Sequence, residues 1–234
     1  MNPESVARWT GIIATVLAVV VALLKEELQR WWRKPKLQAA IRLTAPDCHK
    51  TWITVVRPET GKVIARVPCY YLRIWIENVG NQRAEQVQVF ASKLNRKQPD
   101  GTFAEVSSFL PMNLRWAHID RPYLESLSPR MGQHCNVGYV ADPNTRSVPA
   151  EFLPPVSDDK TRLRLSLEVQ PNTGSDLLEQ GTYLLELKIA ASNSEPVTMS
   201  LELFVSGTWY DDETQMFSDG LTMREMSGGR RGAL

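Results

Sequence analysis

Two hydrophobic periodicities divide the chain. From Trp9 to Leu24, 16 consecutive residues carry no charge, and most are aliphatic. With Val6 to Arg8 included the run reaches 19 residues, which at about 1.5 Å rise per residue approaches the roughly 30 Å hydrocarbon core of a bilayer. This pattern predicts a transmembrane helix over residues 9–24, with Arg8 and Lys25 extending their charged ends toward the headgroups. Trp9 lies at one end and Trp31–Trp32 begin 22 positions later, about 33 Å along a continuous helix, a spacing that suits an aromatic belt at each interface.

Beyond Pro35 the period becomes two. Leu37, Ala39, Ile41 and Leu43 alternate with Gln38, Ala40 and Arg42; Tyr70, Leu72, Ile74 and Ile76 alternate with Tyr71, Arg73, Trp75 and Glu77. The same alternation recurs at Val87 to Ala91, Leu163 to Val169, Tyr183 to Ile189 and Val197 to Val205, and more weakly at Trp52 to Val56, Val63 to Val67 and His134 to Val140. Such alternation marks strands with one buried face. Turn chemistry separates them at Glu59-Thr60-Gly61, Asn78-Val79-Gly80, Asp100-Gly101, Asn172-Thr173-Gly174 and Asn193-Ser194. No long helical pattern intervenes, so two packed antiparallel sheets are expected over residues 37–208. Stretches 95–133 and 141–161, rich in Pro, Asn, Ser and charge, are read as decorated loops of one sandwich, with two sandwiches as the alternative. In the tail, residues 209–234, Asp211 to Ser218 is expected to form a short helix. Trp209, Met216 and Phe217 are then expected to pack onto the sandwich, and Gly228 onward to be mobile.

A buried core helix and a cleaved signal peptide are the alternatives for the apolar run. The first needs a large domain around it, and the second is disfavoured by Leu23-Leu24-Lys25-Glu26-Glu27, which makes a poor cleavage site. Flanking cations orient the span. Arg8 stands alone before it, whereas Lys25, Arg30, Arg33, Lys34 and Lys36 follow within twelve residues. The positive-inside rule leaves residues 1–8 outside and the C-terminal part in the cytoplasm. Residues 25–36 are read as a basic juxtamembrane helix in which Lys25, Arg30, Arg33 and Lys34 reach lipid phosphates. Ala14, Ala18 and Ala22 recur every fourth residue beside Gly11, a small-residue face through which two such helices can associate into a homo-oligomer.

With 27 Lys and Arg against 26 Asp and Glu, the net charge of +1 offers no general attraction to nucleic acid. Three Cys, an odd number without a CxxC pair, argue against a disulfide framework and a standard zinc module. Cys48-His49 and His134-Cys135 would supply two sulfurs and two nitrogens if brought together, but adjacent ligands on a strand point to opposite faces. Separate buried thiols and surface imidazoles are the favoured reading, and neither cofactor nor metal is expected. No HExxH, GxSxG, GxGxxG or P-loop motif occurs, which leaves no catalytic residue to name. The loop from Asn113 to Arg121 carries the candidate ligand site. There Arg115 and Arg121 can bind an anion, Trp116 can stack on a ring, and His118, oriented by Asp120, can hydrogen-bond it. Against this stands Trp116 as a plug of the sandwich end. Arg162 and Arg164 are read as the wet side of their strand, and Asp211-Asp212 as a helix start.

Two constellations resemble known folds. Gly181-Thr182-Tyr183, opening an alternating strand, resembles the tyrosine corner of immunoglobulin-like domains, with Leu185 where antibodies carry a Cys. The segment Asn78-Val79-Gly80-Asn81-Gln82-Arg83-Ala84-Glu85-Gln86-Val87-Gln88-Val89 resembles bacterial Ig-like domains of the adhesion-related (CARDB-like) type. That resemblance implies that Asn78 and Gly80 turn the chain, Ala84 fits where sheets approach, and Val87 and Val89 point inward. The expected architecture is an all-β Ig-like sandwich preceded by one N-terminal transmembrane α-helix. As a function it implies a non-enzymatic interaction or scaffold module with a protein partner at the membrane. The alternative is a tethered sensor of a small anionic ligand that signals by oligomerisation through its span.

Overall fold

The structure, a computed structural model, describes residues 17–21, 25, 34–57, 59–119, 121–144 and 160–226. Residues 17–21 are helical and exposed. The rest of the expected span, with Trp9, Gly11, Ala14 and Ala22, lies outside the described residues, as do Arg30, Trp31, Trp32 and Arg33. Among the described residues, no helix is long and apolar enough to cross a membrane.

The alternating segments form two antiparallel sheets. The first is organised on a long strand β3 (Val63–Asn78). β1 (Leu37–Ala40) and β2 (His49–Val56) share one edge of it, and β8 (Gly132–Ala141), β9 (Leu163–Leu165) and β10 (Leu177–Leu178) follow on the other. The second sheet runs β13 (Leu221–Glu225), β12 (Ser194–Val205), β11 (Gly181–Ala191), β4 (Ala84–Lys97). The outer edge of β4 is covered in turn by β7 (Tyr123–Leu127), β6 (Met112–Asn113) and β5 (Phe103–Glu105). Stretch 95–133 is therefore less a loop than three short strands that satisfy the edge of β4, each too short to show a period of its own.

One core lies between the sheets. Leu72, Ile74 and Ile76 of β3 and Val137 of β8 bury against Val87 and Val89 of β4 and Leu185, Leu187 and Leu201 of the neighbouring strands. Deviations from the expected strands have local causes. Val63–Val67 and Tyr70–Ile76 are one strand, because Pro68, which has no N–H to donate, sits where β8 ends and still accepts a bond from Asp142 N. The alternation at Leu163 to Val169 pairs only as far as Leu165; Leu167 bridges to Leu114, and Val169 is exposed.

The sheet also runs past residue 208. Tyr70 donates its hydroxyl to the carbonyls of Tyr210 and Asp211, both at 2.9 Å, and Asp212 caps a short helical turn, Glu213–Gln215, by accepting from Gln215 N at 2.8 Å. Met216 and Phe217 are buried as expected, and Trp209 packs beside them against the core. The chain then returns as β13, whose Leu221 and Met223 complete the core against β12. A five-residue strand with two buried positions falls below what periodicity can resolve.

Local hydrogen bonds anchor the residues of both constellations. Tyr183 donates its hydroxyl to Glu179 O at 3.1 Å, tying the start of β11 to the preceding turn. Asn78 is fully buried: its Oδ1 accepts from Lys36 N (3.2 Å) and Gly80 N (3.1 Å), and its Nδ2 donates to Gln82 O (2.7 Å) and Leu127 O (3.0 Å). Ala84, Val87 and Val89 are buried.

Candidate functional site

The outer face of the first sheet is aromatic and polar rather than merely wet. Tyr71 of β3 stands directly opposite Tyr139 of β8, which in turn stands opposite Arg164 of β9, so the three form a row across the strands. The two phenol rings meet at 5.5 Å between centroids, tilted by 42°. Two residues along β3, Arg73 donates from Nε to Asn136 Oδ1 at 3.1 Å, and its guanidinium lies 5.0 Å from the Tyr71 ring centroid. Burial pushes the Tyr71 phenol up to about 12 and raises Tyr139 as well, so both hydroxyls stay protonated and able to donate near neutrality. Neither hydroxyl has a hydrogen-bond partner among the described residues.

The chain from Asn113 to Ala117 crosses to this face. Leu114 N donates to Val89 O of the second sheet, whereas Arg115 N donates to Ser166 O and Ala117 N to His134 O of the first. Isolated bridges pair Leu114 with Leu167 and Trp116 with Cys135. The segment thus fills the gap where β8 and the residues after β9 splay apart, and a cavity of about 590 Å³ opens beside it. Its walls include Tyr71 and Tyr139, Arg164 with Asp176, and Arg115, Trp116 and His118 from the crossing segment.

Three of the four expected ligand residues therefore converge, though not in the roles their types implied. Arg115 spends donors on the fold, from Nε to Leu167 O (3.2 Å) and from Nη2 to Glu168 O (2.7 Å). Trp116 is 1 % exposed, so it plugs the sheet junction and has no open ring face to stack on; its Nε1 has no hydrogen-bond partner among the described residues. His118 is exposed at a turn with φ of +66°, a conformation that His adopts more readily than most residues. Arg121 does not line the cavity; its Nη1 donates to Glu125 Oε1 at 3.1 Å on the surface. Asp120, expected to orient His118, lies outside the described residues.

The strand arginines are not solvated. Arg164 and Asp176 form a largely buried ion pair (Nη1–Oδ2 3.5 Å), and Arg162 faces Glu179 at 3.6 Å. Strand alternation placed both arginines on the outer face, and the return of the chain through Asp176 and Glu179 covered them. Buried atoms Asp176 Oδ1 and Arg164 Nε have no hydrogen-bond partner among the described residues.

Both Cys/His pairs are engaged elsewhere. His134 Nε2 lies 3.0 Å from Asp47 Oδ1, and its ring meets Trp75 edge-on at 4.7 Å. Cys48 Sγ accepts from Arg73 N at 3.5 Å, Cys135 Sγ donates to Arg115 O at 3.6 Å, and His49 Nδ1 lies 3.2 Å from Pro46 O. Burial raises the Cys48 thiol to about 11 and Cys69 to about 12, and raises Cys135 further, which disfavours the thiolate that a metal or a nucleophile needs. No group of three or more potential metal ligands occurs among the described residues. Comparison with family models, curated proteins and solved structures gives no match to this chain.

Proposed function

We propose that this chain is a single-pass, membrane-anchored binding module that holds an Ig-like β-sandwich at the inner face of a bacterial membrane. In this reading it acts without catalysis, as an interaction or scaffold element for a protein partner. The anchor rests on the uncharged run at residues 9–24 and the cations that follow it. The Ig-like character is supported by the Tyr183–Glu179 bond and by the buried Asn78 hub. The observation that carries the binding reading is the outer-face concavity, whose two phenol hydroxyls have no partner among the described residues. Unspent donors on a rigid sheet can take carbonyl acceptors from a partner at little entropic cost.

The test is photo-crosslinking. A benzoylphenylalanine in place of Tyr139, in the full chain expressed in native membranes, should give a discrete protein adduct that is lost when the probe sits at exposed Phe204 of the other sheet. Equal or absent adducts at both positions overturn the reading. Alkaline carbonate washing should leave the chain in the membrane pellet; release into the wash overturns the anchor.

The cavity's size favours a second reading, a sensor that takes a small anionic ligand beside Arg115 and His118 and signals by association along Ala14, Ala18 and Ala22. Thermal stabilisation of the detergent-solubilised chain by a phosphorylated or carboxylated ring compound, abolished by Tyr139→Ala, selects it. Unchanged melting across such compounds excludes it.

A further inference from the structure

β2 and the first part of β3 form a hairpin that outruns its own sheet. Pairing between β3 and β8 begins at Cys69–Ala141, so residues 63–68 continue with β2 alone as a two-stranded ribbon. One face of the ribbon is covered: Val55 and Val67 form a small apolar cluster of their own with Ile53, Ile64, Ala65 and Ala141. On the other face Trp52, Thr54 and Val56 stand opposite Pro68, Arg66 and Val63, and five of these six are exposed. Trp52 is 59 % exposed, Val63 47 % and Val56 43 %. Trp75, Trp116 and Trp209 are all at least half-buried, so Trp52 is the exposed one among the described tryptophans.

Charge narrows what can cover this face. Arg57, Lys62 and Arg66 are exposed, and none pairs with a carboxylate among the described residues. Across residues 57–66 they stand against Glu59 alone. An indole and two valines ringed by three unneutralised cations match the interface of an anionic bilayer. There Trp prefers the headgroup level, and cations near the surface are drawn to the anionic headgroups. A protein groove would usually supply carboxylates at fixed positions, whereas this ring is spread over both strands and the turn.

We propose that the β2–β3 hairpin is a peripheral membrane contact that inserts Trp52, Val56 and Val63 among anionic lipid headgroups. The proposal rests on the membrane-anchored reading for its geometry only. β3 extends about 50 Å from the hairpin to the Gly80 end where the linker enters. Contact with the bilayer that holds the anchor therefore lays the sandwich along the membrane, with its two ends tethered by different means.

The test places an environment-sensitive fluorophore on Thr54→Cys in the full chain; the three native thiols are buried and resist labelling. The chain is reconstituted into nanodiscs of phosphatidylcholine alone or of phosphatidylcholine with phosphatidylglycerol. Expected is a blue shift with about a twofold gain in emission in the anionic discs only, weakened by added salt, by Trp52→Ala and by Arg57→Ser with Lys62→Ser. Identical emission in both discs and in detergent overturns the proposal, and so does a shift that appears only when membrane proteins are added. Should the chain fail to enter nanodiscs, the anchor reading falls. The labelled chain is then mixed with phosphatidylglycerol vesicles, and a shift or its absence still decides the hairpin contact.

Discussion

Asn78 shows how much a single side chain can hold. Its amide spans the linker at Lys36, the turn at Gly80 and Gln82, and the strand end at Leu127, with no polar atom left over. Asn78→Ala strands buried donors and acceptors on several segments and should cost about 3 kcal/mol, read as a lower thermal midpoint of the full chain in detergent. Ionisable groups in the core set a limit at the alkaline end. Burial raises Tyr70 from its ordinary value of 10.0 to about 12, and Cys48 and Cys69 from 9.0 to about 11 and about 12. Each is harder to ionise folded than unfolded, so its contribution is whole below the unfolded value and is lost as pH rises through the folded one. Stability should be level up to about pH 8 and fall steeply between about pH 9 and 12, and Tyr70→Phe should flatten the upper part of that fall in a series of melting curves. A constant midpoint across that range would contradict the assigned burial.

At the scale of elements, close approach matters more than propensity. A Cβ on Gly80 would stand 2.5 Å from Lys34 O and 2.5 Å from Lys36 N, both backbone atoms that cannot swing aside. Gly80→Ala should therefore loosen the linker where it docks, at a cost of about 2 kcal/mol. Hydrogen exchange should show it at the Val79 amide, which donates to Lys36 O at 2.8 Å; unchanged protection there would mean that the linker is held by other contacts. The crossing segment illustrates the same principle. Trp116 and Arg115 were legible as an unusual cluster in an otherwise polar stretch. That they serve as a plug and a backbone clamp follows from the splaying of β8 from the residues after β9, which no local pattern announces. Arg121 reads alike in sequence and ends on the surface beside Glu125.

For the whole molecule, the C-terminal segment is part of the core rather than an appendage. A chain ending at residue 208 loses buried Met216, Phe217, Leu221 and Met223. At about 1.5–3 kcal/mol for each buried side chain, the loss reaches roughly 6 kcal/mol or more, comparable to the full stability of an ordinary domain. Such a chain should show no cooperative melting transition by circular dichroism, and a normal transition would place the boundary of the fold at residue 208 after all.

Sequence alone settled what depends on short-range order. The period of two from Leu37 onward specified strands, because side chains alternate across a pleated backbone whatever lies above it. The turn residues marked where strands end, and Met216 and Phe217 stood out as apolar positions in a polar tail. Strand partners and every contact between distant segments were decided only in three dimensions. Asp176 covering Arg164, Asp47 meeting His134 and β13 closing the second sheet join residues far apart in the chain, and the alternation is the same whichever neighbour a strand takes. The cavity belongs to that second kind. Tyr71 and Tyr139 are ordinary outward positions on two strands until the register between β3 and β8 sets them side by side.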